Sequence, residues 1–149
     1  MSRRVLLVST DEDRRILMEA ALAEAGYEVI TESNQAGALK RAHDDSPDAV
    51  VVDITPGHEG AFHLLHGVRD SATEKVAEIP FVVSAGRDRA VDRIRAWESG
   101  CDAWIPRPHH MRDVLDALAG LIELAPAKRS RHRAEKFEEE RRAVSGRES

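Results

Sequence analysis

The apolar run at residues 49–52, followed by Asp53, is the feature that most constrains the fold of this chain. The run holds four consecutive apolar residues, three of them valine. Such a run fits a strand that is covered on both faces, as strands of parallel sheets are. Open α/β sheets bind ligands just beyond the carboxyl ends of their strands. Asp53 is therefore a candidate site residue, and the alternative is a solvated Asp that opens a loop.

Apolar runs alternate with segments of helical periodicity along the chain. The runs are residues 5–8, 27–31 (a weaker one), 49–54, 81–85 and 103–105. Helices are predicted over 11–25, between Ser33 and Pro47, after Gly60, over 87–99 and over 111–124. This order makes five βα units, and right-handed crossovers then give a parallel sheet with helices on both faces, a three-layer α/β domain.

The helical spacing also predicts which side of each helix faces the core. In the first helix, the expected inward residues are Ile16, Leu17, Ala20 and Ala21, with Leu22 beside them. In the fourth, they are Val91, Ile94 and Trp97.

Composition narrows the class of protein. A chain of 149 residues that is 42% hydrophobic suits one soluble domain. No apolar run approaches the roughly 20 residues of a membrane span, and no signal-peptide pattern precedes the first strand, so we expect a cytoplasmic protein. The single cysteine, Cys101, excludes an internal disulfide and is expected to be a small buried residue.

Charge separates two parts of the chain. Residues 1–124 carry a net charge of −8, and residues 125–149 carry +3. We therefore expect a domain over 1–124, with no tendency to bind nucleic acid, and a charged C-terminal extension over 125–149 that is helical or disordered. The extension is expected to add little to the stability of the domain.

Polar side chains follow four of the predicted strands: Ser9 and Thr10, Asp53, Ser84, and Arg107. This set resembles the receiver domain of two-component response regulators, over roughly residues 3–124. The resemblance implies a flavodoxin-like sheet of order 2-1-3-4-5, with Asp53 as the acceptor of a phosphoryl group from a histidine kinase. It also implies that Ser84, followed by Ala85, and Arg107, followed by Pro108, contact the phosphate, and that Trp104 is a switch residue.

Three features depart from the receiver pattern. Receivers carry two adjacent acids after the first strand, which bind Mg²⁺ because this hard cation prefers carboxylate oxygens. Here Ser9 and Thr10 stand in their place, and Asp11 comes one position late. Arg107 replaces the usual lysine with a planar, permanent cation. Pro56 follows Asp53 by three positions instead of four. We therefore expect no required cofactor and a weak or absent Mg²⁺ site at Asp53, with Asp11 as a further ligand at most.

Other motifs give little support to other chemistry. The chain has seven histidines, but His63 and His66 lack a carboxylate at matching helical spacing, so surface or loop histidines are the better interpretation. No glycine-rich loop follows the first strand, which argues against dinucleotide binding.

The sequence therefore predicts an atypical, pseudo-receiver-like signalling module of a phosphorelay-type system, and not an enzyme. It is expected to act by protein–protein contact through the face made by the fourth predicted helix, the fifth strand and the fifth predicted helix, with a protein partner or a second copy, and with no membrane contact. One alternative is a conventional phosphoacceptor that is phosphorylated on Asp53. An alternative from another class is a small nucleotide-binding or enzymatic flavodoxin-like domain.

Overall fold

A five-stranded parallel sheet organises the chain in the computed structural model, which describes residues 2–55 and 60–148. The strands are β1 (Arg4–Ser9), β2 (Glu28–Glu32), β3 (Ala49–Ile54), β4 (Phe81–Ala85) and β5 (Ala103–Pro106). The helices are α1 (Glu12–Glu24), α2 (Gln35–Asp45), α3 (Gly60–Arg69), α4 (Glu74–Ala77), α5 (Ala90–Ser99), α6 (Met111–Glu123) and α7 (Pro126–Glu148). The strand order β2-β1-β3-β4-β5 confirms the predicted flavodoxin-like fold class. Pro56 and His58 lie outside the described residues.

Each side of the sheet has its own apolar core, because successive side chains of a strand point to opposite faces. On one side, Leu6 and Val50 pack with residues of α2, α3 and α5. On the other, Val5 and Val51 pack with residues of α1 and α6. The central strand β3 is buried along residues 49–53, as its continuous apolar run predicts.

The inward side of α1 differs from the prediction. Met18 and Leu22 are buried, whereas Ile16 is 54% exposed and Leu17 68% exposed. Arg14, Met18 and Leu22 are spaced by four residues and therefore share one side of the helix. That side faces the sheet because the Arg14 guanidinium has a partner on β3, described below. A prediction from the apolar residues of α1 alone therefore gives the wrong rotation of this helix about its axis.

Two further differences concern helices on the other side of the sheet. Val91, predicted to face the core, is 59% exposed, whereas Trp97 is buried as expected. The short helix α4 was not predicted, and it buries Val76 under the connection to β4.

The charged C-terminal extension forms helix α7, which packs against α5. Its Arg129 is only 6% exposed, and Phe137 packs against the core cluster that contains Trp97. These contacts favour a stabilising extension, in contrast to the expectation that it adds little to the stability of the domain. Its mean hydropathy conceals this packing, because long arginine side chains bury their stems beside a few apolar residues.

A buried carboxylate lies where α7 meets the sheet. Asp102, just before β5, is 2% exposed and accepts hydrogen bonds from the Arg69 guanidinium (2.9 Å), the Arg133 guanidinium (2.7 Å) and the Phe81 backbone N–H (2.8 Å). The neighbouring Cys101 is fully buried, and burial raises the pKa of its thiol well above the ordinary value. A protonated, enclosed thiol is inert, in agreement with the structural role expected for this cysteine.

The rotation of α1 predicts unequal effects for two neighbouring substitutions. Met18→Ala should lower the free energy of unfolding by about 2 to 4 kcal/mol, because it removes a buried side chain from the core. Leu17→Ala is the matched control and should change it by less than about 0.5 kcal/mol. Urea unfolding followed by circular dichroism measures both. Equal losses for the two variants would contradict this rotation.

Removal of α7 should destabilise the domain. A chain that ends at residue 125 loses the Arg133 partner of buried Asp102 and the Phe137 contact, so its free energy of unfolding should fall by about 2 to 5 kcal/mol. A chain that ends at residue 143 keeps these contacts and is the control. Thermal melts of both compare directly with the full chain, and an unchanged melting temperature for the shorter one would show that α7 contributes nothing.

Candidate functional site

The register of the parallel sheet brings the predicted site residues together. Ser9 at the end of β1 is paired with Asp53 on β3, and Asp53 is paired with Ser84 on β4. Beyond the end of β5, the Arg107 backbone N–H donates to the Ala85 carbonyl oxygen at 2.7 Å. The four side chains therefore meet at the carboxyl edge of the sheet.

Asp53 is enclosed by donors. Its side chain is fully shielded from solvent, and its Oδ2 accepts from the Ser9 hydroxyl at 2.8 Å and from Arg14 Nε at 2.8 Å. Its Oδ1 accepts from Arg107 Nη1. The carboxylate is thus held between two guanidiniums and one hydroxyl, which satisfies both of its oxygens.

Arg14 joins Asp53 to the start of α1. Its Nη1 lies 3.2 Å from Asp11 Oδ2, and its Nη2 donates to the Thr55 hydroxyl at 2.9 Å. Asp11 is the N-cap of α1 and accepts from the Arg14 backbone N–H at 2.9 Å. That backbone hydrogen bond lowers the pKa of the Asp11 carboxyl. One guanidinium therefore bridges two carboxylates.

Arg107 closes the other side of Asp53. Its Nη2 donates to the Ile54 carbonyl oxygen at 3.2 Å, and its Nη1 reaches the Ser84 carbonyl oxygen at 3.3 Å. Burial lowers the pKa of the Arg107 guanidinium, and the Asp53 carboxylate opposes that change. Forked donors let one arginine satisfy the carboxylate and two backbone carbonyls together, which a lysine ammonium does less well.

The two remaining predicted residues, Ser84 and Trp104, make no hydrogen bond to Asp53 among the contacts described. Ser84 is fully buried, and its hydroxyl lies 2.8 Å from His109 Nε2 and only 3.4 Å from Arg107 Nη1. Trp104 packs on the α5 side of the sheet, and its indole N–H donates to Asp88 Oδ1 at 3.1 Å. The structure therefore bonds Ser9 and Arg107 directly to Asp53, whereas the Ser84 hydroxyl is bonded to His109 and Arg107 and the Trp104 indole to Asp88.

Sequence reasoning missed Arg14 and His109. Arg14 lies 39 positions before Asp53, and nothing local marks it except its place three residues after a capping aspartate. His109 lies 25 positions after Ser84, and its imidazole contacts the Ser84 hydroxyl only in the folded chain. Pairs this distant in sequence leave no periodic signal.

The residues present do not fit a Mg²⁺ ion. Thr10 lines the crevice beside Asp53, but, like Ser9, it brings no negative charge. The two nearby carboxylates, Asp11 and Asp53, are both bonded to Arg14, whose cation repels a dication at the same place. Among the described residues, no cluster of three or more His, Cys, Asp or Glu side chains could hold a metal ion.

No family model matches the chain. Among curated proteins, it is 29% identical over 119 residues to the transcriptional regulatory protein KdpE of Mycobacterium tuberculosis, which covers 78% of this chain and 50% of that one. It is 27% identical over 123 residues to the phosphate regulon transcriptional regulatory protein PhoB of Escherichia coli, covering 82% of this chain and 52% of that protein. The chain thus spans about half the length of these relatives.

Solved structures agree in fold. The chemotaxis response regulator CheY4 of Vibrio cholerae matches with a TM-score of 0.71 at 21% identity, covering 81% of this chain and 99% of that one. A response regulator protein of Burkholderia multivorans matches with a TM-score of 0.67 at 26% identity, covering 84% and 98%. In sequence the chain is similar to response regulators, and in fold it matches their receiver domains. In this chain, the position that the resemblance predicts as phosphoacceptor is Asp53, and two arginines surround it. Among the described residues, no helix is long and apolar enough to cross a membrane.

A double-mutant cycle tests whether the two arginines share Asp53. Arg14→Ala or Arg107→Ala alone removes one partner of the shielded carboxylate and should lower the free energy of unfolding by about 1 to 3 kcal/mol. The loss is limited because the other guanidinium remains. The double variant should lose more than the sum, by about 1 kcal/mol or more, because it leaves that charge without a cation. The exposed Arg112→Ala is the control. Strict additivity in urea titrations would show that the arginines act separately.

Proposed function

We propose that this receiver signals by protein–protein contact and that its Asp53 site is kept closed by arginine instead of being opened by Mg²⁺ and phosphorylation. One observation carries the proposal: the Arg14 guanidinium bridges Asp11 and Asp53, so a cation of the protein itself takes the position that a metal would need. Arg107 adds a second permanent charge on Asp53.

In the closed site that we propose, no oxygen of Asp53 is free to attack a phosphoryl donor. Attack on a phosphorus atom needs a free carboxylate oxygen, and here both oxygens accept hydrogen bonds from Ser9, Arg14 and Arg107. Metal ions normally neutralise the charge that develops on a transferred phosphoryl group. Arginines can neutralise charge as well, but these two are already paired with the carboxylate that would have to attack.

The proposed contact surface of the protein is the face formed by α5, β5 and α6. Helices α5 and α6 are the fourth and fifth helices that the sequence predicts. Helix α7 covers part of α5, so a partner protein or a second copy meets β5, α6 and the part of α5 that α7 leaves open. Two exposed arginines just before α5, Arg87 and Arg89, share one carboxylate, Asp92, at 3.7 and 3.9 Å. These long contacts leave both guanidiniums accessible to acidic groups of a partner. A histidine kinase is one partner class that the family resemblance implies.

The two other functions have less support. A conventional phosphoacceptor remains the alternative within the family, and it requires Arg14 to leave Asp53. A nucleotide-binding or enzymatic domain has the same fold, but the matched proteins are named as regulators, and the loop after β1 lacks glycine.

A phosphodonor assay tests the closed site. The chain is incubated with acetyl phosphate and Mg²⁺, and its intact mass is measured. We expect no gain of a phosphoryl group, because Arg14 occupies the metal position. The variant Ser9→Asp/Thr10→Asp/Arg14→Ala supplies two acids and removes the blocking cation, so it should bind Mg²⁺ and become phosphorylated.

Two controls make the result specific. Adding Asp53→Asn to the triple variant should abolish the mass gain, and Ser9→Asp/Thr10→Asp with Arg14 retained should respond much more weakly than the triple variant. A phosphoryl group on Asp53 of the unaltered chain, or Mg²⁺ binding by that chain at sub-millimolar concentration, would overturn the closed-site proposal in favour of a conventional phosphoacceptor.

A further inference from the structure

A groove lies at the amino edge of the sheet, at the opposite end of the strands from Asp53. Its lining includes Arg3, Asp48 and Pro80, which directly precede β1, β3 and β4. Helix α4 borders the groove, and so do the end of α6 and the first turns of α7. Its volume is about 860 Å³, which is within the range of small-molecule sites in proteins.

Apolar residues form a large part of this lining. Ile79 is 3% exposed and Pro80 is buried, and three further apolar side chains lie beside them in the groove, those of Pro47, Ile122 and Leu124. An apolar group of a ligand would displace water from this surface. The lining therefore favours a ligand with a substantial apolar part.

Arg129 of α7 is a buried cation in the groove lining, and one of its donors is unused. The residue is 6% exposed. Its Nη1 donates to the carbonyl oxygen of Leu121 at 3.2 Å and to that of Leu124, and its Nη2 donates to the Glu78 carbonyl oxygen at 2.9 Å. Its Nε is buried and has no hydrogen-bond partner among the described residues. A buried donor without an acceptor is unfavourable, so an acceptor supplied by a ligand is stabilising here.

The Glu78 side chain has an unused acceptor in the same lining. Its Oε2 is buried and lacks a hydrogen-bond partner in the part of the chain that the structure describes. The terminal torsion of a glutamate side chain is broad, so a small rotation turns this oxygen toward the groove. A partly enclosed carboxylate is stabilised most by a cationic donor.

Two exposed side chains of α4 add charges of both signs at the rim. Glu74 and Lys75 are adjacent in sequence and line the groove together with Glu78. Within residues 2–55 and 60–148, neither side chain takes part in an ion pair. Arg3 and Asp48, in contrast, are already paired at 3.8 Å. The groove therefore presents an unpaired cation and unpaired carboxylates beside an apolar surface.

We propose that this groove binds a free α-amino acid with a large apolar side chain. The ammonium group of the ligand lies at Glu74 and Glu78, and its carboxylate lies at Lys75 and Arg129 Nε. Its side chain covers the apolar lining. A ligand with a single charge would leave one of these two sets without a partner. The groove is separate from Asp53, so this binding site goes beyond the proposed closed-site function and does not depend on it.

Three probes of similar shape test the site in NMR titrations of the full chain. They are L-phenylalanine, phenethylamine, which lacks the carboxylate, and 3-phenylpropanoate, which lacks the ammonium group. Phenylalanine should shift the amide signals of residues 74–80 and 126–130 with a dissociation constant on the order of 1 mM, as expected for a ligand of about twelve non-hydrogen atoms. Each single-charge probe should bind about fivefold more weakly or worse, because it loses a charge-assisted contact. Equal affinities for the three probes, or shifts confined to other residues, would overturn the proposal.

Charge variants assign the two ends of the ligand. Lys75→Gln should weaken the binding of phenylalanine and of 3-phenylpropanoate and leave that of phenethylamine unchanged. Glu78→Gln should weaken phenylalanine and phenethylamine and leave 3-phenylpropanoate unchanged. Glu139→Gln is the control, because Glu139 is 71% exposed and lies on α7 outside the groove. If neither groove variant changes any of the three affinities, the charges do not hold the ligand and the proposal fails.

A blocking variant tests the position of the site. Ala127→Phe introduces a large side chain into the groove from α7 and should abolish phenylalanine binding. Ala134→Phe, at another exposed position of the same helix, is the matched control and should leave binding intact. Circular dichroism checks that both variants keep their fold. Unchanged binding by a folded Ala127→Phe variant would contradict this location. No phosphodonor or metal takes part, so these results are independent of the phosphorylation assay.

Discussion

Two shielded carboxylates, each paired with two guanidiniums, hold helices α1 and α7 against the sheet. Asp53 lies at the carboxyl edge between Arg14 and Arg107, and Asp102 lies at the amino edge of β5 between Arg69 and Arg133. A buried carboxylate without partners is very unfavourable, so each arginine must stay where its carboxylate is. The first pair fixes the rotation of α1, and the second fixes α7.

Pairing a buried carboxylate with two arginines has different consequences at the two edges of the sheet. At Asp102, the arginines and the Phe81 backbone N–H complete a structural cluster that holds an added helix. At Asp53, they fill a position that the family resemblance assigns to chemistry. A cation supplied by the chain cannot be withdrawn by a change in metal concentration, so the closed site that we propose would depend on conformation for its regulation.

Much of the architecture followed from pattern, and much of the site did not. The strands and the burial of β3 could be predicted because continuous apolar runs report burial on both faces. The sheet order was predicted from the resemblance to receivers. The proximity of Asp53 and Arg107 followed from the resemblance. Arg14 could not be predicted, because its function depends on a partner 39 positions away. The rotation of α1 was predicted wrongly for the same reason. The packing of α7 could not be predicted, because most of its residues are charged.

The aromatic residues are distributed unevenly between the two cores. Phe62, Phe81, Phe137, Trp97 and Trp104 all belong to the cluster on the α5 side, and the other side has Tyr27 alone. Tryptophan emission from this protein is therefore an optical signal of one half of the molecule. A fluorescence change that occurs without a matching change in backbone ellipticity would report rearrangement on the α5 and α7 side, while the layer of α1 and α6 stays invisible to that measurement.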